Sequence, residues 1–415
     1  VLKSAADARQ RRNLLRFDVD EPEPAPAGPP RPPFPEAIQE VDPLFSGAVF
    51  QEYAELTYTR VHALIGDPQR RATLATLLSD SAHREVLGSL PGGQRASLVT
   101  IGATRVEVAP TATRNRLVVD FFTNLTTHDG RLLEREERWS FSRPPGAKSA
   151  APERLRAHAC LACGATEDPG PTGTCPACGA ARTEGGPQWR VSSVRIVYSG
   201  LAEDPELSLG GGDEPGLDTP TVRHPRLPAR MKAFEARHPD VLLKSEKARL
   251  AAIFVQLQEA WSAGKWERAR PFLSDALFTA NRAWLDQLAA RGQRNRTEDV
   301  VVTRVELCDV ETDAWVETIK VRIFARCLDW TERRSDGAVV GGSKSQPRRF
   351  SEYWTFYRTV GARSAAADTL HCPSCGAPLD KMGETGVCGY CESKVSQGQF
   401  DWVASRIEQD EDADR

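Results

Sequence analysis

The sequence predicts an α+β fold built twice, as two tandem domains of N-terminal helices packed against a curved antiparallel sheet, each with an inserted small zinc ribbon. Three observations predict it. First, the chain carries two clusters of Cys-x-x-Cys pairs. Cys160, Cys163, Cys175 and Cys178 have eleven residues between the pairs; Cys372, Cys375, Cys388 and Cys391 have twelve. Second, each cluster falls between a Trp/Phe-rich strand and a final strand. Third, short matches recur in the same order in both halves. Leu78-Ser79-Asp80 pairs with Leu273-Ser274-Asp275, and Thr104-Arg105-Val106-Glu107 with Thr303-Arg304-Val305-Glu306. Glu137-x-Trp139-x-Phe141-x-Arg143 pairs with Glu352-x-Trp354-x-Phe356-x-Arg358. The cysteine clusters come next, followed by Gln188-Trp189 with Arg195-Ile196 against Gln399-Phe400 with Arg406-Ile407.

Residues 1–40 read as a basic, then Pro-rich, leader. Such composition builds no core and favours an extended linker. The first domain, 41–199, opens with a helix over Ser46–Ile65, where Val49, Phe50, Tyr53, Leu56, Val61, Leu64 and Ile65 fall on one stripe. Gly66-Asp67-Pro68 ends it. A second helix is capped at Ser79 or Asp80 and broken by Pro91-Gly92-Gly93. Strands follow at Leu98–Val108, Arg116–Leu125, Leu132–Phe141 and Gln188–Tyr198, with the ribbon at about 158–182 before the last. A linker rich in Gly, Pro, Asp and Glu is expected at 200–238.

The second domain, 239–407, repeats the programme. Helices are expected at Leu250–Trp261 and after Ser274, and strands at Val300–Cys308, Trp315–Trp330, Phe350–Tyr357 and Gln399–Ile407. Its ribbon lies at about 371–395. Ile319, Val321, Ile323, Ala325 and Cys327 alternate with Lys320, Arg322 and Arg326, the pattern of a strand buried on one face. Residues 408–415 read as an acidic solvated tail.

The net charge of −3 and a pI near 6.3 argue against a general nucleic-acid binder. Eight of ten cysteines sit in Cys-x-x-Cys pairs, a thiolate pattern that favours a reducing, cytoplasmic setting over a disulfide framework. Four thiolates close a tetrahedral site with no open position, so two structural zinc ions are expected rather than catalytic ones. A ribbon of this size buries little apolar surface, so its metal supplies folding free energy on the order of 10 kcal/mol. Gly164, Gly179, Gly376 and Gly389 are expected in the knuckle turns. For catalysis, the inward-facing positions read mainly as Val, Ile, Phe and Trp, and His62 and His83 as structural or solvent-facing. Glu137 and Glu352 are expected to pair with Arg143 and Arg358. No nucleophile–base pattern, phosphate loop or nucleotide motif is present, so no catalytic residue is assigned.

The second half resembles a known family. Ile253-Phe254, Leu257-Gln258-Glu259-Ala260-Trp261, Arg270-Pro271-Phe272-Leu273-Ser274-Asp275 and Phe350-Ser351-Glu352-Tyr353-Trp354-Thr355-Phe356-Tyr357-Arg358 look like the Tim44-like domain, which includes a mitochondrial inner-membrane import translocase subunit and bacterial proteins. The resemblance covers about 241–407 and, less closely, about 44–198. It implies a cone like that of nuclear transport factor two, membrane association and protein contacts rather than catalysis. The chain departs from the mitochondrial pattern in having two copies, both with ribbons, so import-motor function is not carried over. The resulting expectation is a non-catalytic adaptor or scaffold at the cytoplasmic face of the inner (plasma) membrane. It would be peripheral or anchored by a segment upstream of Val1, with protein partners, a possible lipid contact and no nucleic acid. The alternatives are a zinc-ribbon nucleic-acid module, using Arg291, Arg294, Arg296, Arg348 and Arg349, and a pocket enzyme of the cone fold.

Overall fold

The computed structural model describes residues 34–109, 111, 113–149, 189–201, 214, 216–239, 243–362, 371–379, 386–393, 395–396 and 398–409. Residues 1–33 of the leader expected at 1–40, and the first cysteine cluster, lie outside them; the rest of that leader is not an extended linker, since Glu36–Gln39 form a short helix that buries Ala37 and Ile38. The chain divides into two compact units, Val1–Pro205 and Glu206–Arg415. Each holds a four-stranded antiparallel sheet with helices N-terminal to it, so the α+β architecture is as expected and each unit is consistent with a cone-like domain.

In the first unit, helix α1 (Gly47–Leu64) starts where the Ser46 side chain accepts a hydrogen bond from Val49 N at 3.3 Å. This satisfies an otherwise orphaned helix N–H. Helix α2 (Asp80–Ser89) is capped in the same way by Ser79. Strands β1 (Ala96–Val108), β2 (Arg116–Thr127), β3 (Leu132–Ser142) and β4 (Arg190–Leu201) pair in chain order. Side chains alternate across a strand, so Leu117, Val119, Phe121, Trp139, Phe141 and Val191 share the buried face. Helix α1 packs on that face: Tyr58 stacks on Phe121 at 4.4 Å and Phe50 meets Phe141 edge-on at 5.5 Å. Just before α2 the chain meets β4 at a parallel bridge, Leu78 to Val191, where Ser79 N donates to Val191 O at 2.8 Å.

The second unit repeats this plan with longer strands. Helix α3 (Leu227–Arg237) precedes α4 (Leu243–Ala263) and α5 (Asp275–Ala290). Strands β5 (Gln293–Thr312), β6 (Val316–Arg333), β7 (Val339–Thr359) and β8 (Val403–Gln409) again pair in order. Leu273 bridges Ala404 in parallel and Ser274 N donates to Ala404 O at 2.9 Å, matching the Leu78-Ser79 junction of the first unit. Phe254 of α4 meets Trp354 edge-on at 5.2 Å over the buried face.

Three further expectations change. Residues 227–237 were read within a linker but form α3, because Leu227 and Phe234 supply a buried side. Strands β5 and β7 run well past the sequence boundaries, while β6 ends three residues beyond its own, at Arg333. Their extensions are mostly polar and pair beyond the apolar core, so periodicity does not reveal them. Glu408 and Gln409, read as tail, are buried members of β8, with Gln409 opposite Glu352.

Candidate metal centre and buried charge clusters

Strand β7 ends at Thr359 and β8 begins at Val403, and the second cysteine cluster lies between them. Cys372 N donates to Ala377 O at 2.7 Å and Gly376 N to Cys372 O at 2.7 Å, closing the first knuckle. Cys388 N to Ser393 O at 2.9 Å and Glu392 N to Cys388 O at 3.0 Å close the second. In each, the fourth residue after the leading cysteine is left-handed: Gly376 at φ +73° and Glu392 at φ +59°. Gly389, expected in the second knuckle turn, lies in it, while the left-handed position there is Glu392.

The four Sγ atoms lie within 4.8 Å of one another. Cys372 and Cys391 are separated by 3.8 Å, and Cys375 and Cys388 by 3.9 Å. Tetrahedral zinc with Zn–S bonds of about 2.3 Å sets its sulfurs about 3.8 Å apart, while a disulfide needs about 2.05 Å. The spacing and the all-sulfur donor set therefore fit one metal ion such as zinc. Hydrogen bonding from the Ser393 hydroxyl and backbone N–H holds Cys391 at about 6. Burial raises Cys372, and Cys375, although the Ala377 backbone N–H pulls it down, is pushed up to about 12 by the neighbouring thiols, so these shifts do not by themselves argue for a metal. Cys372, Cys388 and Val395 form a small core covered by Leu379 and Phe400.

The ribbon is seated against the α5 end of the unit. Gly386 at φ +67° presents its backbone to the Arg270 guanidinium; a Cβ there would lie 3.0 Å from Arg270 Cζ and 2.4 Å from Ser396 Oγ. Arg270 is buried, donates to Leu273 O at 2.8 Å, pairs with Asp275 and covers Phe278. Cys160, Cys163, Cys175 and Cys178 lie outside the described residues.

The interiors are less apolar than the sequence suggests. Glu137 is fully buried with Arg135 at 2.9 Å and His62 at 3.3 Å, and accepts hydrogen bonds from Tyr58 Oη at 3.2 Å and Trp139 Nε1 at 2.8 Å. Burial pushes its carboxyl up, but the charges of His62 and Arg135 and the Trp139 N–H outweigh this and hold it at about 2. The same burial, with Glu137 alongside, drives the Tyr58 hydroxyl well above its ordinary value. The expected Glu137–Arg143 pair does not form; Arg143 instead reaches Asp42 at 2.8 Å. Glu352 is likewise not the partner of Arg358. It accepts from Trp354 Nε1 at 3.0 Å and from Gln409 Nε2 at 3.2 Å, while Arg358 lies between Glu317 at 2.8 Å and Glu246 at 3.2 Å. The Trp-to-Glu bond two residues back is thus common to both units, whereas the cation beside the glutamate is found in the first. Tyr58, His62, Arg135 and Glu137 have essentially no exposed surface, so the cluster does not reach the surface of the unit.

Residues 230–367 match the Tim44-like domain. The match runs from within α3 through β7 and stops before Cys372, so the second cysteine cluster and β8 lie beyond it. No curated protein matches the chain.

Proposed function

We propose that this chain is a non-catalytic, membrane-associated adaptor, built from tandem Tim44-like domains that bind protein partners and are each stabilised by one structural zinc ion. The Tim44-like domain at 230–367 carries the reading, since domains of this family associate with membranes and contact membrane proteins or lipids. Two copies are proposed because the Leu-Ser-Asp junction, the strand order and the Glu-x-Trp bond recur in both units. By the same logic Cys160, Cys163, Cys175 and Cys178 hold a second ion, as Cys372, Cys375, Cys388 and Cys391 hold the first. No helix among the described residues is long and apolar enough to cross a membrane. Attachment at the cytoplasmic face of a bacterial inner membrane is part of this proposal.

The basic patch that favoured nucleic acid is partly neutralised. Arg294 pairs with Glu332 at 2.7 Å, Arg296 with Glu298 at 3.3 Å, and Arg348 with Asp329 at 2.7 Å. Cross-linking in native membranes, with the chain at its natural level, tests the adaptor reading. Adducts with a defined membrane protein are expected, and recovery as a free soluble monomer contradicts it.

A further inference from the structure

Among the described residues, the second unit buries one more carboxylate than the first at the same place. In both units the arginine that ends the Glu-x-Trp-x-Phe-x-Arg run lies over a tryptophan, Arg143 over Trp189 at 4.5 Å and Arg358 over Trp402 at 4.3 Å. Arg143 meets one carboxylate, Asp42, at 2.8 Å. Arg358 meets two: it donates to Glu317 Oε2 at 2.8 Å and to Glu246 Oε1 at 3.2 Å. The second oxygen of Glu246 accepts from Trp402 Nε1. The extra acid follows from register. Leu117 faces Phe141 across β2–β3, and Ile319 faces Phe356 across β6–β7. Two residues earlier the first unit has Asn115, whose side chain donates to Arg143 O at 3.1 Å, and the second has Glu317.

Glu317 also meets a histidine. Its Oε1 is in hydrogen-bond contact with His238 Nε2. His238 closes the C-terminus of α3, where its N–H donates to Phe234 O at 3.1 Å and its ring lies 4.6 Å from that of Phe234. Glu246, Glu317 and Arg358 are buried. His238 keeps 17 % of its side chain exposed, which leaves a route for a proton to reach solvent. Two buried carboxylates and one guanidinium leave a negative charge over, and an unbalanced buried charge is costly. An imidazolium at His238 balances it, and the C-terminal end of a helix favours a cation too. The other charges on these elements are engaged elsewhere or exposed. Lys247 donates to Val305 O at 3.3 Å and Arg249 pairs with Asp401. Arg230 pairs with Asp309 at 2.6 Å toward the start of α3, with His224 at 4.0 Å from the same carboxylate. Glu235 and Arg237 of α3 are exposed.

Little else holds α3 in place. Of its eleven residues, Leu227 at the start and Phe234 in the last turn are buried. We propose that His238 is a pH-sensitive latch: as an imidazolium it fastens the end of α3 to the second unit through Glu317, and on giving up its proton to solvent it lets that end go. The sign follows from the charge. A cation that gains a partner on folding stabilises at low pH, and its contribution is lost as pH rises. Imidazole side chains change charge between about pH 5 and 8, so the latch is closed at about pH 6 and open by about pH 9. The device lies within the second unit and does not depend on the adaptor reading.

Amide hydrogen exchange on the full purified chain tests this, with rates corrected for the intrinsic effect of pH. The amides of the last turn of α3 and of His238 should be protected about tenfold or more better at about pH 6 than at about pH 9, while those of β6 keep their protection at both. His238→Gln retains a side-chain donor without the charge, and should show the lower protection at both values. Glu317→Gln removes the surplus carboxylate and should abolish the pH dependence as well. His224→Gln, at the other end of α3, should leave it intact. Protection indifferent to pH in the unaltered chain, or pH dependence that survives His238→Gln, overturns the proposal. So does pH dependence lost in His224→Gln, or α3 amides that open only together with β6. Should Glu317→Gln fail to fold, the two histidine variants decide, since both of those side chains are partly exposed.

Discussion

Replacing Glu137 by Gln removes one charge from a fully buried site and changes almost nothing in shape. Arg135 would keep its bonds to Ser89 O at 3.2 Å and Ser89 Oγ at 2.8 Å but lose its carboxylate at 2.9 Å. Breaking a buried pair from one side costs about 3–5 kcal/mol, because the remaining charge stays desolvated. A second route gives a similar size. The carboxyl sits at about 2 in the fold against 4.5 unfolded, which corresponds to about 3 kcal/mol of stability. A depressed carboxylate stabilises above its unfolded value, so this contribution is complete above pH 4.5 and is lost as pH falls through about 2. Urea unfolding followed by tryptophan fluorescence is the assay. The transition of the first unit should move down by about 3 kcal/mol while that of the second stays in place. The added change Arg135→Met should recover part of the loss. A Glu137→Gln transition within about 1 kcal/mol of the parent would refute the argument that this cluster is a matched set of buried charges.

Three further outcomes follow from single contacts. Cys388→Ser should lower the bound zinc by one ion per chain, read by elemental analysis, and open the ribbon to limited proteolysis while the β5–β7 sheet keeps its circular dichroism. Gly342→Ala should destabilise by about 2–5 kcal/mol in thermal or urea unfolding, because the position has φ +71° and a Cβ would lie 2.1 Å from Asp329 O. Ser79→Ala and Ser274→Ala should each cost about 1 kcal/mol, in separate transitions, since each caps its helix through one hydrogen bond of 3.2 Å.

Much of the scaffold was readable from residues. The Leu-Ser-Asp matches are the helix caps and the parallel bridges that join helices to sheet; the alternation from Ile319 to Cys327 marks one buried face of β6, but the opposite face, expected to be open, is buried too at Arg322 and Phe324. The second cysteine cluster assembled as its spacing implied. Partners of charged residues were not readable, because they depend on which strands and helices meet. Glu137 found Arg135 on its own strand and His62 on α1, rather than Arg143. Residues 216–224, read as linker, escaped notice because they have neither apolar period nor a regular element. They are held by Arg322 and Tyr353, more than a hundred residues away, and their Pro/Gly/acidic composition resembles any linker.

A duplicated, metal-stabilised chain that serves as a protein adaptor at a membrane should carry its metal and its partner together. Native mass spectrometry of the chain released from its own membranes in mild detergent tests this most directly, since one spectrum reads both metal and partner. The account predicts the chain with two zinc ions, in complex with a membrane protein. A zinc-free chain travelling alone would contradict it.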